Sequence, residues 1–321
     1  MEGTPRFSER LPAEALRPLM VRRDGPGLRR FGLQYGLFLA SIAATLALTG
    51  PLRVAAVLAH SVLLASLFAP FHESTHRTAF RTPWLNDAVA WLAGAPLLFP
   101  PPFYRDYHFA HHRHTHDPER DPEIHLAPEK LARWASNPIG HLVTLTGLPL
   151  LAMTLFALAA LALPHRAAWW ARWAPYVAPA RRLRVSLSSG GLLLGVAALT
   201  VGALGWPALW GLVAGQVVAR ALLTMFFSAE HVGLPFEGDA LSRTRSTRTN
   251  ALVRWLMWNM PWHAEHHGWP GVPWHALPAL HALVEDQLPN LAPGYLRLHA
   301  AVLRGEAQGS ASPGGGRGLA R

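Results

Sequence analysis

The sequence predicts an all-α integral membrane protein, with four transmembrane helices in two hairpins and a cytosolic helical cap. Half of the 321 residues are hydrophobic and only 15% are charged, whereas soluble proteins have about 25% charged residues. The apolar residues are gathered in blocks of about 20, the length that a helix needs to cross a bilayer. The net charge of +10 comes almost entirely from arginines beside these blocks, which is typical of the cytoplasmic side of a membrane protein.

The first predicted hairpin follows a polar segment. Residues 1–30 are rich in arginine and contain no early apolar run, so we expect a cytosolic N-terminal segment and no signal peptide. The first span, Phe31–Gly50, ends at a Gly-Pro turn, and Val54–Phe71 returns as the second span. The arginines before the first span place the N-terminus and His72 on the cytoplasmic side.

The second predicted hairpin has the same form. Leu187–Gly205 and Trp206–Phe227 are the third and fourth spans, and Gly205-Trp206-Pro207 forms the turn between them. This hairpin again returns the chain to the cytoplasm.

Two further apolar stretches do not fit a simple span. Ala88–Pro100 is too short to cross a bilayer. The stretch 141–163 is long enough, but Gly147-Leu148-Pro149 interrupts it, and the arginine-rich segment after it indicates that both of its ends are cytoplasmic. We therefore expect helices that lie at the membrane face, with three tryptophans as interfacial anchors: Trp169, Trp170 and Trp173.

The remaining bulk features limit the possible functions. The absence of cysteine excludes disulfides, thiolate metal sites and fused iron–sulfur modules. The arginines flank apolar segments instead of forming a stripe with aromatic residues, so we expect no nucleic-acid partner. Residues 306–321 have the composition of a disordered tail.

Histidines occur in three short clusters that each have helical spacing. On a helix, residues i, i+3 and i+4 share one face. His72 and His76 form an i, i+4 pair, and two i, i+3, i+4 triplets follow: His108, His111 and His112, then His263, His266 and His267. By the predicted topology all three clusters lie on one side of the membrane.

One such cluster in a surface helix is commonly incidental, but three together in a chain without thiols indicate a metal site. Eight or nine neutral imidazoles provide enough ligands for more than one divalent ion. Imidazole suits iron, zinc and copper alike, so the ligand type by itself leaves the metal open.

The segments "HESTHR", "HFAHH" and "HAEHH", separated by two apolar hairpins, resemble the three histidine boxes of the membrane fatty-acid desaturase family, which also contains hydroxylases and ketolases. The similarity extends over roughly residues 31–283, and residues 31–305 would form the membrane desaturase-like domain. The segments "RTPWLNDAVAWLAGAPLL" and "RWLMWNMPWHAEHHGWPGVPWHALPALH" resemble a bacterial branch whose relatives act on rhizopine and dihydrorhizobitoxine. The resemblance implies a four-span helical fold with a cytosolic nonhaem diiron centre in the bacterial inner membrane.

The resemblance also implies which residues hold the metal. The boxes match eight ligands: His72, His76, His108, His111, His112, His263, His266 and His267. A ninth ligand in the family often comes from the cytosolic end of the last span, and here His231 fits that position. Some members carry an asparagine one turn before this histidine, whereas this chain has Phe227.

Acidic residues beside the boxes have two possible roles. Glu73, Glu230 and Glu265 each neighbour a box histidine and are either partners that fix its tautomer or solvated acids. We expect the acids after the second box, Asp117, Asp121 and Glu123, to form a structural ion network with Arg113, Arg120 or Arg77.

The other histidines are weaker candidates. His114 lies on the opposite helical face from His108, and Asp117-Pro118 ends the helix near His116, so neither is a predicted ligand. His60, in the second span, either lines a substrate tunnel or is a packing residue. We interpret the rest as surface or structural residues: His125, His141, His165, His275, His281 and His299.

The chemistry implied by the resemblance is O2-dependent oxidation of an unactivated C–H bond of a lipid or aliphatic substrate. Loss of a second hydrogen gives an alkene, and oxygen rebound gives an alcohol, so desaturase and hydroxylase or ketolase activities both remain possible. No side chain needs to act as a nucleophile. The electrons would come from a separate donor, such as a ferredoxin with its reductase, whose acidity would suit the basic cytosolic face.

Two other functional classes remain as alternatives. "HESTH" also satisfies the HExxH pattern of zinc proteases, with Glu73 as the general base. That interpretation leaves six box histidines unexplained, and no aspartate occurs in the later spans. A metal-storage or transport protein is the second alternative, although transporters place ionisable residues inside several spans.

Overall fold

The computed structural model describes residues 11–124, 137–163, 165–204 and 206–306, and in these ranges it is mostly helical. The α-helices in chain order are α1 (Ala13–Leu16), α2 (Asp24–Ala47), α3 (Gly50–Ser66), α4 (Phe68–His76), α5 (Pro83–Gly94), α6 (Pro101–His114), α7 (Pro138–Leu145), α8 (Leu148–Ala162), α9 (Ala167–Trp173), α10 (Pro179–Ala197), α11 (Trp206–His231), α12 (Ala251–Leu256), α13 (His263–Gly268), α14 (Leu277–Val284) and α15 (Tyr295–Leu303). Arg17–Met20 and Glu285–Gln287 are 3-10 helices, and Ala198–Leu204 is a π-helix. His125 and residues 307–321 of the predicted tail lie outside the described residues.

The first predicted hairpin is formed by α2 and α3. Gly50 has φ +58° at the turn, and a proline follows at the start of α3, where its missing N–H costs nothing. Buried polar contacts join the two helices: Gln34 Nε2 donates to Ser66 O at 2.9 Å, and Ser41 Oγ lies 3.0 Å from His60 Nδ1. Leucines on the outer faces are exposed, as expected for surfaces that meet lipid.

Among the described residues, two helical stretches are long and apolar enough to cross a membrane. These are Gly50–His76, which contains α3 and α4, and Leu209–His231 in α11. Pro138–Leu145 and Leu148–Ala162 pass the same test together but are bent by 61°, which makes them a broken span or a re-entrant loop. The predicted first and third spans overlap α2 and α10, so both are helical, and the four-span topology stays a prediction.

The bend between α7 and α8 lies directly against α11. Gly147 has φ +72°, and a Cβ there would lie 2.2 Å from Ala221 N. The interfacial role of the three tryptophans after this bend stays a prediction, and Trp170 differs from the other two in being buried. Its ring is 3% exposed and packs with Leu161 and Val185, because α9 folds back onto α10.

The remaining helices and loops, which we call the cap, pack against one end of α2, α3 and α11. Its largest core contains buried side chains from α2, α3, α4, α5 and α11 and extends to Met257, Trp258 and Trp274. The only strands in the described part of the chain form a two-residue parallel pair, Ser246–Thr247 with Leu291–Ala292. This core also includes Tyr104 of α6, so it joins α6 to α4 beside the apolar helices.

Candidate metal centre

All nine predicted ligands converge in two neighbouring groups. The first group, which we call group A, contains His72, His76, His108, His112 and His266. The second, group B, contains His111, His231, His263 and His267. Within each group the candidate ligand atoms lie within 4.8 Å of one another, which is the arrangement that a metal ion requires.

Group A is built from one-turn pairs on two helices and a single histidine from a third. Helix α4 supplies His72 and His76, α6 supplies His108 and His112, and α13 supplies His266. The Nε2 atom of His76 lies 2.8 Å from that of His108 and 3.2 Å from that of His266. These three nitrogen atoms are close enough together to bind one cation between them.

Group B takes one histidine from each of two helices and two from α13. The ring of His111 lies 5.2 Å from that of His231 and 5.0 Å from that of His267. The rings of His263 and His267 are 4.4 Å apart. The three residues of the third box are therefore divided, because His263 and His267 point into group B while His266 points into group A.

Each histidine of group B has a neighbour at its Nδ1 atom. His111 Nδ1 donates to Asp121 at 3.0 Å, and His231 Nδ1 donates to the backbone oxygen of Arg243 at 2.8 Å. Thr115 Oγ1 lies 3.2 Å from His267 Nδ1, and Glu230 Oε1 lies 3.4 Å from His263 Nδ1. For His111, His231 and His267 these contacts place the proton on Nδ1 and leave Nε2 as the ligand atom. His263 Nδ1 lies near Glu230 but makes no hydrogen bond among the described residues.

Glu73 lies behind group A. Its carboxylate is fully buried, accepts hydrogen bonds from Thr78 Oγ1 and Trp274 N, and has an oxygen 3.8 Å from the Nδ1 atoms of both His72 and His266. A carboxylate held in this way supports the histidines and is not free to act as the base of a zinc protease. The contacts favour the supporting role for Glu73 and Glu230.

Unsatisfied nitrogen atoms test whether the site fits a metal. Both ring nitrogens of His72 and the Nε2 atoms of His231, His263 and His267 are buried without a hydrogen-bond partner among the described residues. Buried polar atoms are normally paired, because an unpaired one costs about 1–3 kcal/mol. Since the orphaned atoms face other imidazoles, the donor set fits divalent metal ions.

The pKa values of three histidines in group A and one in group B agree with this fit, whereas that of His111 does not. Burial lowers the pKa of His108, His112 and His267 well below the usual value, and it lowers the pKa of His266 to about 3. These side chains are thus neutral at pH 7, the form that binds metal. For His111 the effect of burial is outweighed by the carboxylates of Glu123 and Asp121, which raise its pKa to about 9.

The acids after the second box differ partly from the prediction. Asp117 pairs with Arg120 as expected, at 2.6 Å. Asp121 instead binds His111 and the backbone N–H of His116, because the chain turns back on itself directly after α6. Arg77 pairs with Asp87. The ion-network prediction is therefore wrong for Asp121.

The histidines that were not predicted as ligands have other partners. His116 has φ +61°, and its Nδ1 donates to Pro235 O at 2.9 Å. His114 belongs to neither group and is partly exposed. His60 is buried against Phe38 with its ring centroids 5.4 Å apart, which fits the packing role.

Three further polar contacts were not apparent from the sequence. His281 Nδ1 donates to Glu265, which also accepts from Ser246 Oγ. His141 and His299 form a buried pair at 3.0 Å that joins α7 to α15. These partners lie far apart in the sequence and carry no motif, so only the folded chain reveals them.

Comparisons with known proteins identify relatives over most of the chain. Residues 10–299 match the family model described as fatty acid desaturase. An acyl-lipid (9-3)-desaturase of Physcomitrium patens is 24% identical over 278 residues, which cover 78% of this chain and 51% of that protein. The sphingolipid delta(4)-desaturase DES1 of Drosophila melanogaster is 24% identical over 241 residues, or 73% of this chain and 67% of that protein.

A shorter match is more similar. An sn-1 oleoyl-lipid 12-desaturase of Anabaena variabilis is 32% identical over 75 residues, which cover 23% of this chain and 21% of that protein. The matched part of the chain thus spans about a fifth of the Anabaena variabilis protein and about half of the Physcomitrium patens protein.

Proposed function

This chain belongs to the fatty acid desaturase family, and we propose that it is an O2-dependent, nonhaem diiron desaturase that acts on an acyl chain or a related aliphatic substrate. The observation that carries the proposal is the convergence of nine imidazoles in two adjacent buried groups. The names of the acyl-lipid and sphingolipid desaturases support the substrate class. The iron pair, when bound, supplies the O2-dependent oxidation that removes two hydrogens from neighbouring carbons.

In this proposal groups A and B each hold one iron. Asp121 and the backbone oxygen of Arg243 keep the Nδ1 protons of His111 and His231 in place, so that Nε2 faces the metal. Glu73 serves the same purpose from a greater distance in group A. Seven of the nine histidines are buried and the other two, His112 and His231, are partly buried, which limits the access of bulk water to the reacting centre.

Aromatic side chains form the wall between the metal centre and the membrane helices. Phe68 lies one turn before His72, with ring centroids 5.8 Å apart, and the ring of Phe227 meets it edge-on at 4.6 Å. We propose that this apolar wall contacts the aliphatic part of the substrate. Phe227 fills the place of the family's asparagine, so no side-chain amide from this position reaches the metal centre.

The proposal places the protein in the bacterial inner membrane with its metal centre on the cytoplasmic side. It also requires a separate electron donor, such as a ferredoxin with its reductase. Reduction of O2 to water takes two electrons from the substrate and two from this donor. The two candidate membrane helices and the positive-inside rule support this location.

The test combines metal analysis with product analysis. We expect the purified protein to contain about two irons per chain, and cells that make it to accumulate a lipid or metabolite that has lost two hydrogens. The His76→Ala variant serves as the inactive control. One zinc per chain would contradict the proposal in favour of a protease, variable loading would favour a transporter, and gain of one oxygen would indicate a hydroxylase or ketolase.

A further inference from the structure

We propose that four arginines of the cap, Arg23, Arg30, Arg81 and Arg254, form the docking surface for a separate acidic electron-carrier protein. We call this surface the arginine face. The inference rests on the proposed diiron function, since it names the place where the electrons enter.

Two of the four arginines lie against tryptophan rings of the cap. The Arg30 guanidinium lies 4.4 Å from the Trp274 ring and 5.7 Å from the Trp255 ring, and Arg254 lies 5.6 Å from the Trp262 ring.

The other two arginines lie near the start of α2: Arg23 directly precedes this helix, and Arg81 directly precedes Thr82, which donates two hydrogen bonds to Asp24. Arg23 interacts electrostatically with His275, the residue after Trp274, and Arg81 does so with Asp24, which binds Thr82. Arg23 and Arg81 are exposed, and Arg30 and Arg254 are half-buried.

Arg23 and Arg81 carry the most accessible positive charge of this face, since Arg254 donates to the backbone oxygen of Thr249 and Nη1 of Arg30 is buried. Among the described residues, none of the four arginines has a carboxylate within ion-pair distance. By contrast, Arg77, Arg120, Arg181 and Arg248 are each paired with an acid. Unpaired surface charges attract a complementary partner and speed its association.

The arginine face also lies close to group A. Beneath Arg30, the backbone N–H of Trp274 donates to Glu73 at 3.3 Å, and Glu73 is 3.8 Å from His266. One tryptophan and one carboxylate therefore separate the arginine face from a candidate iron ligand. Because electron tunnelling weakens steeply with distance, a carrier that docks here would deliver electrons through a thin layer of protein.

The surface beside group B is more mixed in charge, because its acids lie on the same segment as the exposed Arg113 and Arg120. Glu123 is 38% exposed with an oxygen 3.7 Å from His111 Nδ1, and Glu119 is exposed next to the Asp117–Arg120 pair. An acidic carrier would also meet like charge there. Charge therefore favours entry on the group A side.

The test is binding of an oxidised acidic [2Fe–2S] ferredoxin to the full chain in phosphatidylcholine nanodiscs. At low ionic strength we expect the double variant Arg23→Gln/Arg81→Gln to raise the Kd about tenfold and to reduce its dependence on salt. Arg254→Gln should raise it about threefold. The matched control is Arg166→Gln/Arg172→Gln, which removes the same charge from exposed positions near α9 and should change the Kd less than twofold.

A second measurement separates this inference from the proposed function. Reduction of bound iron by ferredoxin should slow in the double variant, while reduction by dithionite should not change. Absence of any reducible iron would refute the diiron function. The docking inference would then be decided by the Kd values of the wild type and the variants alone. The docking inference is refuted if the wild type does not bind, if the double variant binds equally well, if the control weakens binding as much, or if the difference needs anionic lipid.

Discussion

Groups A and B use the same ligand type but are supported differently. Each histidine of group B has a polar neighbour at Nδ1, and one of these, Asp121, makes a hydrogen bond of 3.0 Å. Group A has a longer contact of 3.5 Å between Tyr104 Oη and His108 Nδ1, Glu73 at 3.8 Å from its nearest ligand, and close packing of rings such as His76 and His108. The orientation of the imidazoles is therefore fixed largely by hydrogen bonds in group B and mainly by packing in group A.

The largest expected effect follows removal of one ligand from each group. His266→Ala and His111→Ala should each abolish activity, because both irons are needed, and lower iron from about two to about one per chain. The measurement is iron content beside turnover in the purified variants. Full iron and full turnover in either variant would contradict the assignment of that group.

The second prediction concerns the supporting carboxylates. Asp121→Asn should weaken metal binding in group B by about 10–100-fold, because the amide no longer holds the Nδ1 proton of His111 as firmly. Glu73→Gln should have a smaller effect on group A, since packing holds those rings. Iron retention during titration with a chelator measures both, and equal effects would remove the distinction drawn between the groups.

Removal of the metal should destabilise the cap. At a free iron concentration about 1,000 times the Kd, binding stabilises the native state by about 4 kcal/mol. Chelation removes this stabilisation, so we expect Tm to fall by roughly 10 °C. Thermal unfolding with and without a chelator measures this change. The His76→Ala/His111→Ala variant, which lacks a ligand in each group, should show little further change.

The smallest effect is expected at His114. This side chain is partly exposed and belongs to neither group, so His114→Ala should keep both irons and activity within twofold. Metal analysis of this variant is the control for the ligand variants. Loss of iron would show that α6 presents a different face to the metal centre.

The composition of the site followed from the sequence because histidine spacing on a helix determines which rings share a face. The division between groups did not, because His263, His266 and His267 lie on a helix of six residues that sits between both groups. The three side chains point in different directions around this helix, but the sequence does not say which direction leads to which group. Likewise, Asp121 and His111 meet through a turn that the sequence does not specify.

The fold was predictable to a similar degree. Apolar blocks located α2, α3, α10 and α11, but the path of the chain around Gly147 depends on contacts with α11 that are distant in sequence. Trp170 illustrates the same limit. Its place in a tryptophan-rich segment suggested the membrane interface, but the sequence does not show that the return of α9 onto α10 buries it.

The close approach of Gly147 to α11 has a consequence for the metal centre. The backbone at Ala221 lies about ten residues before His231 on the same continuous helix, so a methyl group at position 147 would push that helix sideways as a rigid rod. Displacement at one end of such a rod moves the ring at its other end. A substitution as small as Gly147→Ala would therefore disturb the geometry of group B without touching any histidine.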